Sequence, residues 1–329
     1  MLVRIVKDWP YPKSFFGQTP NGDGVWGEVT FTEDEISACD YLLVLQRPPY
    51  RIKVQCRKGN AWLITQEPPT NYFRFLTRSF KYFDRVYTNF RGIRHPHLTG
   101  LQPVLPWHVL KGYGELTNLT GDKLGGKKDE LVWITSNKND FPGQRSRMRF
   151  MKFLEESQFS FNLYGRGFTA INDKFDGLFP CKYALAIENF SDKHYWTEKL
   201  ADCFLSWCLP FYWGAPNLEE YFPAESFIRI EIDQPEQALM IIKRAIEGKE
   251  WERRLPAIEK ARNLILNEYQ FFPYVSKMIV DNSFETLDKQ KVQYDIPANP
   301  YPLSYIIGNQ LKYYWSRIIA ILRGGFSKR

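Results

Sequence analysis

Apolar residues along the chain fall into two rhythms. In the first third, LVRIV (2–6), YLLVL (41–45), AWLIT (61–65) and RVYT (85–88) are short, nearly continuous apolar runs. Turn-forming stretches such as TPNGDG (19–24) and RPPYR (47–51) lie between them. Apolar runs of that length between turn signals predict buried strands. LQPVLPWHV (101–109) reads as an extended crossing segment, and the polar, glycine-rich, lysine-bearing GYGELTNLTGDKLGGKKDE (112–130) reads as a linker.

Beyond it the pattern restarts and changes character. LVWIT (131–135), FNLYG (161–165), KYALAI (182–187), LPFYWG (209–214) and SFIRI (226–230) read as strands. Between them, GQRSRMRFMKFLEES (143–157) reads as a helix with Met148, Met151 and Leu154 towards one face. WTEKLADCFLSW (196–207) places Leu200, Cys203, Phe204 and Trp207 at the i, i+3, i+4, i+7 spacing of a core-facing stripe. QPEQALMIIKRAIEG (234–248) and the segment to about Phe272 are helical in pattern. Strands alternating with helices imply an α/β architecture with a parallel sheet covered on both faces. The expected division is a first domain over 1–115, a linker over 116–130, a second domain over 131–285 and a C-terminal extension over 286–329.

At 329 residues the chain is too long for one ordinary core, which agrees with that division. A net charge of +7 favours anionic partners, but the basic residues are spread along the chain and form no block of the nucleic-acid type. The five cysteines include no CxxC pair, which argues against a zinc site and for a reducing compartment. The chain opens on a strand-like run rather than a signal peptide, so a cytoplasmic location is expected. The basic, aromatic and apolar YYWSRIIAILRGGFSKR (313–329) supports two readings: a last helix packed on the body, or a peripheral anchor on an anionic membrane.

Candidate chemistry concentrates at ENFSDKHYWTEK (188–199), where the apolar run KYALAI meets the helix pattern. Ligands of doubly wound sheets sit outside the carboxyl ends of the strands, which is where Glu188 and Asn189 fall. The helix that follows begins near Thr197, a residue able to cap it, with Glu198 and Lys199 in its first turn. Its unpaired N–H groups and partial positive charge suit a phosphate. A second strand–loop–helix unit places Arg145, Arg147 and Arg149 in a corresponding position, where an arginine could clamp a diphosphate. Taken singly, each segment is also consistent with ordinary capping and solvated surface charge.

Residues 181–231, CKYALAIENFSDKHYWTEKLADCFLSWCLPFYWGAPNLEEYFPAESFIRIE, resemble the donor-binding signature of glycosyltransferase family 10, the α1,3/α1,4-fucosyltransferases. The matching elements are Glu188-Asn189, Tyr195 through Lys199, Pro210 through Gly214 to Pro216, and Pro223 through Ser226 to Ile228. Arg147, Phe150 and Leu154, the turn LYGRGF (163–168) and AWLITQEPP (61–69) extend the likeness.

The resemblance implies a GT-B fold, two Rossmann-like domains facing across a cleft. It implies inverting, metal-independent transfer of L-fucose from GDP-β-L-fucose to a hydroxyl of an acceptor glycan, with no cofactor beyond the donor itself. Carried over by position, Glu67 is the general base, Arg147 and Lys199 hold the diphosphate, and Glu188, Asn189, Tyr195 and Glu198 belong to the donor site. Phe190 and Trp196 depart from the family pattern beside the expected donor pocket, which leaves open the same fold with another nucleotide sugar. A non-catalytic glycan-binding protein is the further alternative, but Glu67, Arg147 and Lys199 are all retained.

Overall fold

A computed structural model describes residues 1–9, 15–285 and 290–303. The basic stretch 313–329, expected as a packed helix or a membrane anchor, lies outside the described residues.

The first unit contains β1 (Leu2–Lys7), β2 (Val25–Trp26), β3 (Val29–Thr32), β4 (Tyr41–Leu45), β5 (Ile52–Arg57), β6 (Ala61–Ile64), β7 (Arg85–Tyr87) and β8 (Leu98–Thr99). Seven of these strands form one sheet in the order β2-β3-β1-β4-β6-β7-β8, and only the β2–β3 hairpin is antiparallel. On β4, Tyr41, Leu43 and Leu45 enter one core with Val3, Ile5 and Trp62, while Leu42 and Val44 enter another with Val6 and Leu63. Burial on both faces is why these strands read as continuous apolar runs rather than as alternation.

The second unit runs through α1 (Tyr113–Thr117), β9 (Lys128–Ile134), α2 (Pro142–Glu156), β10 (Asn162–Tyr164), α3 (Lys174–Leu178), β11 (Cys181–Ile187), α4 (Glu198–Leu205), β12 (Leu209–Trp213), β13 (Ile228–Arg229), α5 (Pro235–Glu247) and α6 (Glu250–Leu264). Its sheet is wholly parallel, in the order β10-β9-β11-β12-β13. From β11, Tyr183, Leu185 and Ile187 pack with Phe150 of α2 and Ile242 of α5. Ala184 and Ala186 point the other way, towards Leu200 and Phe204 of α4.

Three findings differ from the sequence expectations. The stretch read as a linker is structured: it holds α1, with Leu116 and Leu124 buried, and the start of β9. The buried face of α2 is Gln144, Arg147, Phe150 and Leu154, with Met148 and Met151 half-buried at its margin. The larger Phe150 ring takes the core position against Trp133, at 6.0 Å between centroids. Finally, the chain crosses back after α6. Phe271, Phe272, Val275 and Ile279 of α7 (Phe271–Glu285) pack with Val3, Ile5 and Phe31 of the first sheet. Strand β14 (Lys291–Ile296) then pairs antiparallel with β5.

Candidate active site

The carboxyl ends of both sheets face one another, and the side chains there are held by specific bonds. Glu188, one residue past β11, is fully buried. Its Oε1 accepts from the Thr197 N–H at 2.7 Å and from the Thr197 hydroxyl at 2.9 Å, and its Oε2 lies 3.3 Å from the Lys199 ammonium. Thr197 in turn accepts from the Lys199 N–H, capping α4 as its sequence position predicts. Gly214, past β12, makes room for this arrangement: a Cβ there would lie 2.7 Å from Glu188 Cγ and 2.4 Å from the Tyr212 hydroxyl. Burial raises the Glu188 carboxyl above its ordinary value, against the pull of Lys199.

Lys199 also lies 3.4 Å from Glu198 Oε1. Burial works against its charge, but Glu188 and Glu198 together hold it above the usual lysine range. Burial likewise opposes ionisation of Glu198, and Lys199, His108 and Lys174 together override it, so this carboxyl sits well below its usual range. Tyr195 is buried beside these acids. Burial first, then Glu188, Glu67 and Glu198, push its hydroxyl far above the ordinary tyrosine value, leaving a neutral O–H donor among carboxylates.

Arg147 projects from the inner face of α2 and is 2% exposed. Its Nη1 donates to Asn189 Oδ1 at 2.6 Å and its Nη2 to the Ser136 carbonyl at 3.4 Å, while Nε is buried without a hydrogen-bond partner among the described residues. Among the described residues no carboxylate lies within ion-pair distance of it. Arg145 and Arg149 instead serve the surface, bonding to the Asp140 carbonyl and to the Ser146 hydroxyl. The start of α2 presses directly on the end of β11: a Cβ on Gly143 would fall 2.1 Å from the Asn189 carbonyl oxygen. The buried Arg147 guanidinium is an incomplete arrangement: burial penalises its charge, and Glu188 and Glu198 favour it only from beyond ion-pair distance.

Glu67 lies three residues past β6, in a loop held by Gln46, whose Oε1 accepts from the N–H groups of Gln66 (2.8 Å) and Glu67 (3.2 Å). Gln46 has a left-handed backbone (φ +69°), a conformation a non-glycine residue keeps only when its surroundings enforce it. The Glu67 side chain is reachable by water, yet protein encloses it from both sides of the cleft. That enclosure raises its carboxyl to about 7, against the opposing pull of Lys138 and Lys199 from the second unit. The two units also touch directly: Arg91 pairs with Asp192 at 2.7 Å, and Phe141, the N-cap of α2, packs 4.7 Å from the Tyr72 ring.

Arg147, Glu188, Asn189, Tyr195, Glu198 and Lys199 therefore converge, with Glu67 facing them. Trp196 does not belong with them. It was expected beside the donor pocket but is 3% exposed and packs against Phe222 (5.1 Å) and Tyr221 (5.7 Å) behind the loop. Phe190 is half-buried, edge-on to Tyr195. Sequence reasoning missed His108 and Lys174. Both reach Glu198 at 3.8 Å, and both are organised by Asp202, which accepts from the His108 N–H and from the Lys174 ammonium at 2.7 Å. The available signal was Asp202 itself, an acid among the apolar residues of α4.

Two parallel α/β units meeting at their carboxyl edges define the GT-B class of fold. An alpha-glucosyltransferase solved with UDP and a 13-mer DNA shares it, with a TM-score of 0.50 at 10% identity over 77% of this chain and 84% of that one. An alpha1,3-fucosyltransferase structure aligns over 82% of this chain and 91% of that one, at 14% identity and a TM-score of 0.47. Residues 124–244 match the family described as "Glycosyltransferase family 10 (fucosyltransferase) C-term". Over 129 residues, 36% of the chain, it is 35% identical to human 4-galactosyl-N-acetylglucosaminide 3-alpha-L-fucosyltransferase 9. A 60-residue stretch is 33% identical to an alpha-(1,3)-fucosyltransferase of Helicobacter pylori, covering 18% of this chain and 13% of that protein. The match spans about a third, 34%, of the length of the human relative.

Proposed function

We propose that this protein is an inverting fucosyltransferase that moves L-fucose from GDP-β-L-fucose to a hydroxyl of an acceptor glycan, in an α1,3- or α1,4-linkage. The observation that carries the reading is Arg147: a buried cation with no carboxylate at ion-pair distance among the described residues, at the strand edge where Lys199 and the capped start of α4 converge. A diphosphate supplies the missing charge, and the likeness of residues 124–244 to the fucosyltransferase family supports a GDP-fucose donor.

The chemistry follows from the placement. Glu67 takes the proton of the acceptor hydroxyl, and that oxygen attacks the anomeric carbon from the face opposite the diphosphate. The bond between the anomeric carbon and the phosphate oxygen breaks, and GDP leaves with the electron pair. Arg147 and Lys199 neutralise the charge that grows on the departing phosphate, a contribution of about 3–4 kcal/mol for one well-placed donor. A carboxyl titrating near 7 is a stronger base than an ordinary carboxylate and is still about half ionised at neutral pH. The reading needs no metal, because cations of the chain occupy that role, and the Tyr195 hydroxyl and Asn189 amide provide neutral polar contacts for the donor.

The test is a donor panel. GDP-fucose is expected to raise the melting temperature more than UDP- or dTDP-sugars, and transfer to a 4-galactosyl-N-acetylglucosamine acceptor should add one deoxyhexose by mass. Preference for a UDP-sugar would replace the donor while leaving the fold and the diphosphate site in place.

A further inference from the structure

The carboxyl ends of β1, β4 and β6 lie side by side, because the three strands are sequential neighbours in the sheet. Asp8 follows β1, Gln46 and Arg47 follow β4, and Glu67 follows β6. The chain's last described segment, after β14, is laid across these ends. The Asp8 side chain is 1% exposed, with Oδ2 2.7 Å from Arg47 Nε and accepting from the Tyr301 hydroxyl at 2.9 Å. Arg47 Nη1 donates to the Asn299 carbonyl at 2.9 Å, and its guanidinium stands 4.0 Å over the Tyr301 ring. The Asn299 N–H donates to the Pro48 carbonyl at 2.9 Å, and its amide donates to the Phe75 carbonyl at 3.1 Å. One residue beyond Asp8, Trp9 Nε1 donates to Gln66 Oε1 at 3.0 Å, tying the end of β1 to the residue before Glu67.

We propose that residues 297–303 form a strap completing the acceptor side of the cleft, and that the Asp8 carboxylate it grips is a positioning residue for Glu67. The role in transfer rests on the reading of Glu67 as base, whereas the placement of the strap does not. Two features argue that this is more than edge closure. A buried ion pair is a poor way to stabilise an edge, since apolar residues of the same size do so without desolvating two charges. Moreover, Asp8 Oδ1 is buried and has no hydrogen-bond partner among the described residues, so the carboxylate is not fully used by its own network.

The field of Asp8 is what remains for Glu67 to feel. Among the described residues, the charges acting most strongly on Glu67 are Lys138 and Lys199 from the second unit, which favour its ionised form, and Asp8 and Glu198, which oppose it. Asp8 alone of these comes from Glu67's own sheet. Without it the cations prevail and the base weakens. The strap also reaches the donor side, since Tyr301 packs 5.4 Å from the Phe75 ring in the same cluster as Phe73 and Phe141.

The experiment compares the full chain with Asp8→Asn and Tyr301→Phe. Titration of the Glu67 carboxyl is followed by carbon-13 NMR of glutamate-labelled protein, with Glu67→Gln identifying the resonance, and kcat/KM is measured against pH. The Glu67 midpoint, and with it the acidic limb of kcat/KM, is expected to move to lower pH by about half a unit or more in Asp8→Asn. The shift should have the same sign but be smaller in Tyr301→Phe, which keeps the ion pair. An unmoved Glu67 midpoint in folded Asp8→Asn overturns the proposal. If that variant does not fold, an unmoved midpoint with unchanged kcat in Tyr301→Phe overturns it. Because the NMR midpoint needs no turnover, variants that shift as expected beside a wild type that transfers no sugar refute the activity and not the strap.

Discussion

Replacing Arg147 with methionine should separate stability from function in a direction ordinary core mutations do not. The substitution removes two hydrogen bonds, to Asn189 Oδ1 and the Ser136 carbonyl. Leaving those acceptors without Arg147 costs about 1 kcal/mol each. It also removes a guanidinium that is 2% exposed, has only neutral hydrogen-bond partners among the described residues, and feels Glu188 and Glu198 only from beyond ion-pair distance. The desolvation of such an ion is worth several kcal/mol. The balance favours the variant by about 1–3 kcal/mol in the absence of nucleotide, a rise in melting temperature of about 2–6 °C. GDP affinity moves the other way: two charge-assisted bonds to a diphosphate are lost, about 3–4 kcal/mol, so the dissociation constant rises about 10²–10³-fold. Calorimetric melting without ligand and titration with GDP read the two effects separately. A variant that melts several degrees lower and binds GDP as tightly as the wild type refutes the reasoning, for Arg147 would then be a structural residue with its charge already satisfied.

Gly143→Ala forces a Cβ to within 2.1 Å of the Asn189 carbonyl, so α2 must shift; urea unfolding should show a loss of about 2–4 kcal/mol, with weaker GDP binding from the displaced Arg147. Glu188→Gln leaves Lys199 with Glu198 as its remaining carboxylate and should cost about 2–3 kcal/mol in the same assay, less than a fully broken buried pair because that partner persists. The raised carboxyl of Glu67 gives a pH signature. Between its ordinary value near 4.5 and about 7 the folded state binds more protons than the unfolded chain, so stability falls as pH rises through that window. Water access screens the effect to about 1–2 kcal/mol. Denaturation midpoints at pH 5 and pH 7.5 should therefore lie closer together in Glu67→Gln than in the wild type, and an identical pH dependence would contradict the enclosure of Glu67.

The second unit was largely legible because its information is local. Runs such as KYALAI and LPFYWG are continuous apolar strands, and Leu200, Cys203 and Phe204 carry the helix period and are buried in one core, whereas Trp207, placed on the same stripe by spacing, lies past the end of α4 with a left-handed backbone and is buried in the other core. The convergence of Glu188, Thr197 and Lys199 was likewise written within twelve residues. What the sequence concealed depends on long-range closure. The alternation in IKVQCR marks β5, but its partner β14 is more than 230 residues away. The return of α7 to the first core is invisible locally, because an apolar helix face does not say which sheet it will cover. The orientation of Trp196 was hidden for a simpler reason. The backbone turns into the N-cap at Thr197, and the ring on the preceding residue swings to the aromatic cluster behind. His108 and Lys174 acquire meaning only when Asp202 gathers two distant segments.

Everything in the mechanism depends on Glu67 acting on the acceptor while the donor is held by the facing domain. The most direct measurement is therefore paired: GDP-fucose affinity and single-turnover transfer for Glu67→Gln beside the wild type. The account predicts affinity within about threefold of wild type and transfer slowed by about 10²–10⁴-fold, the range of a lost general base. Transfer at close to the wild-type rate by a variant that binds donor normally would contradict it.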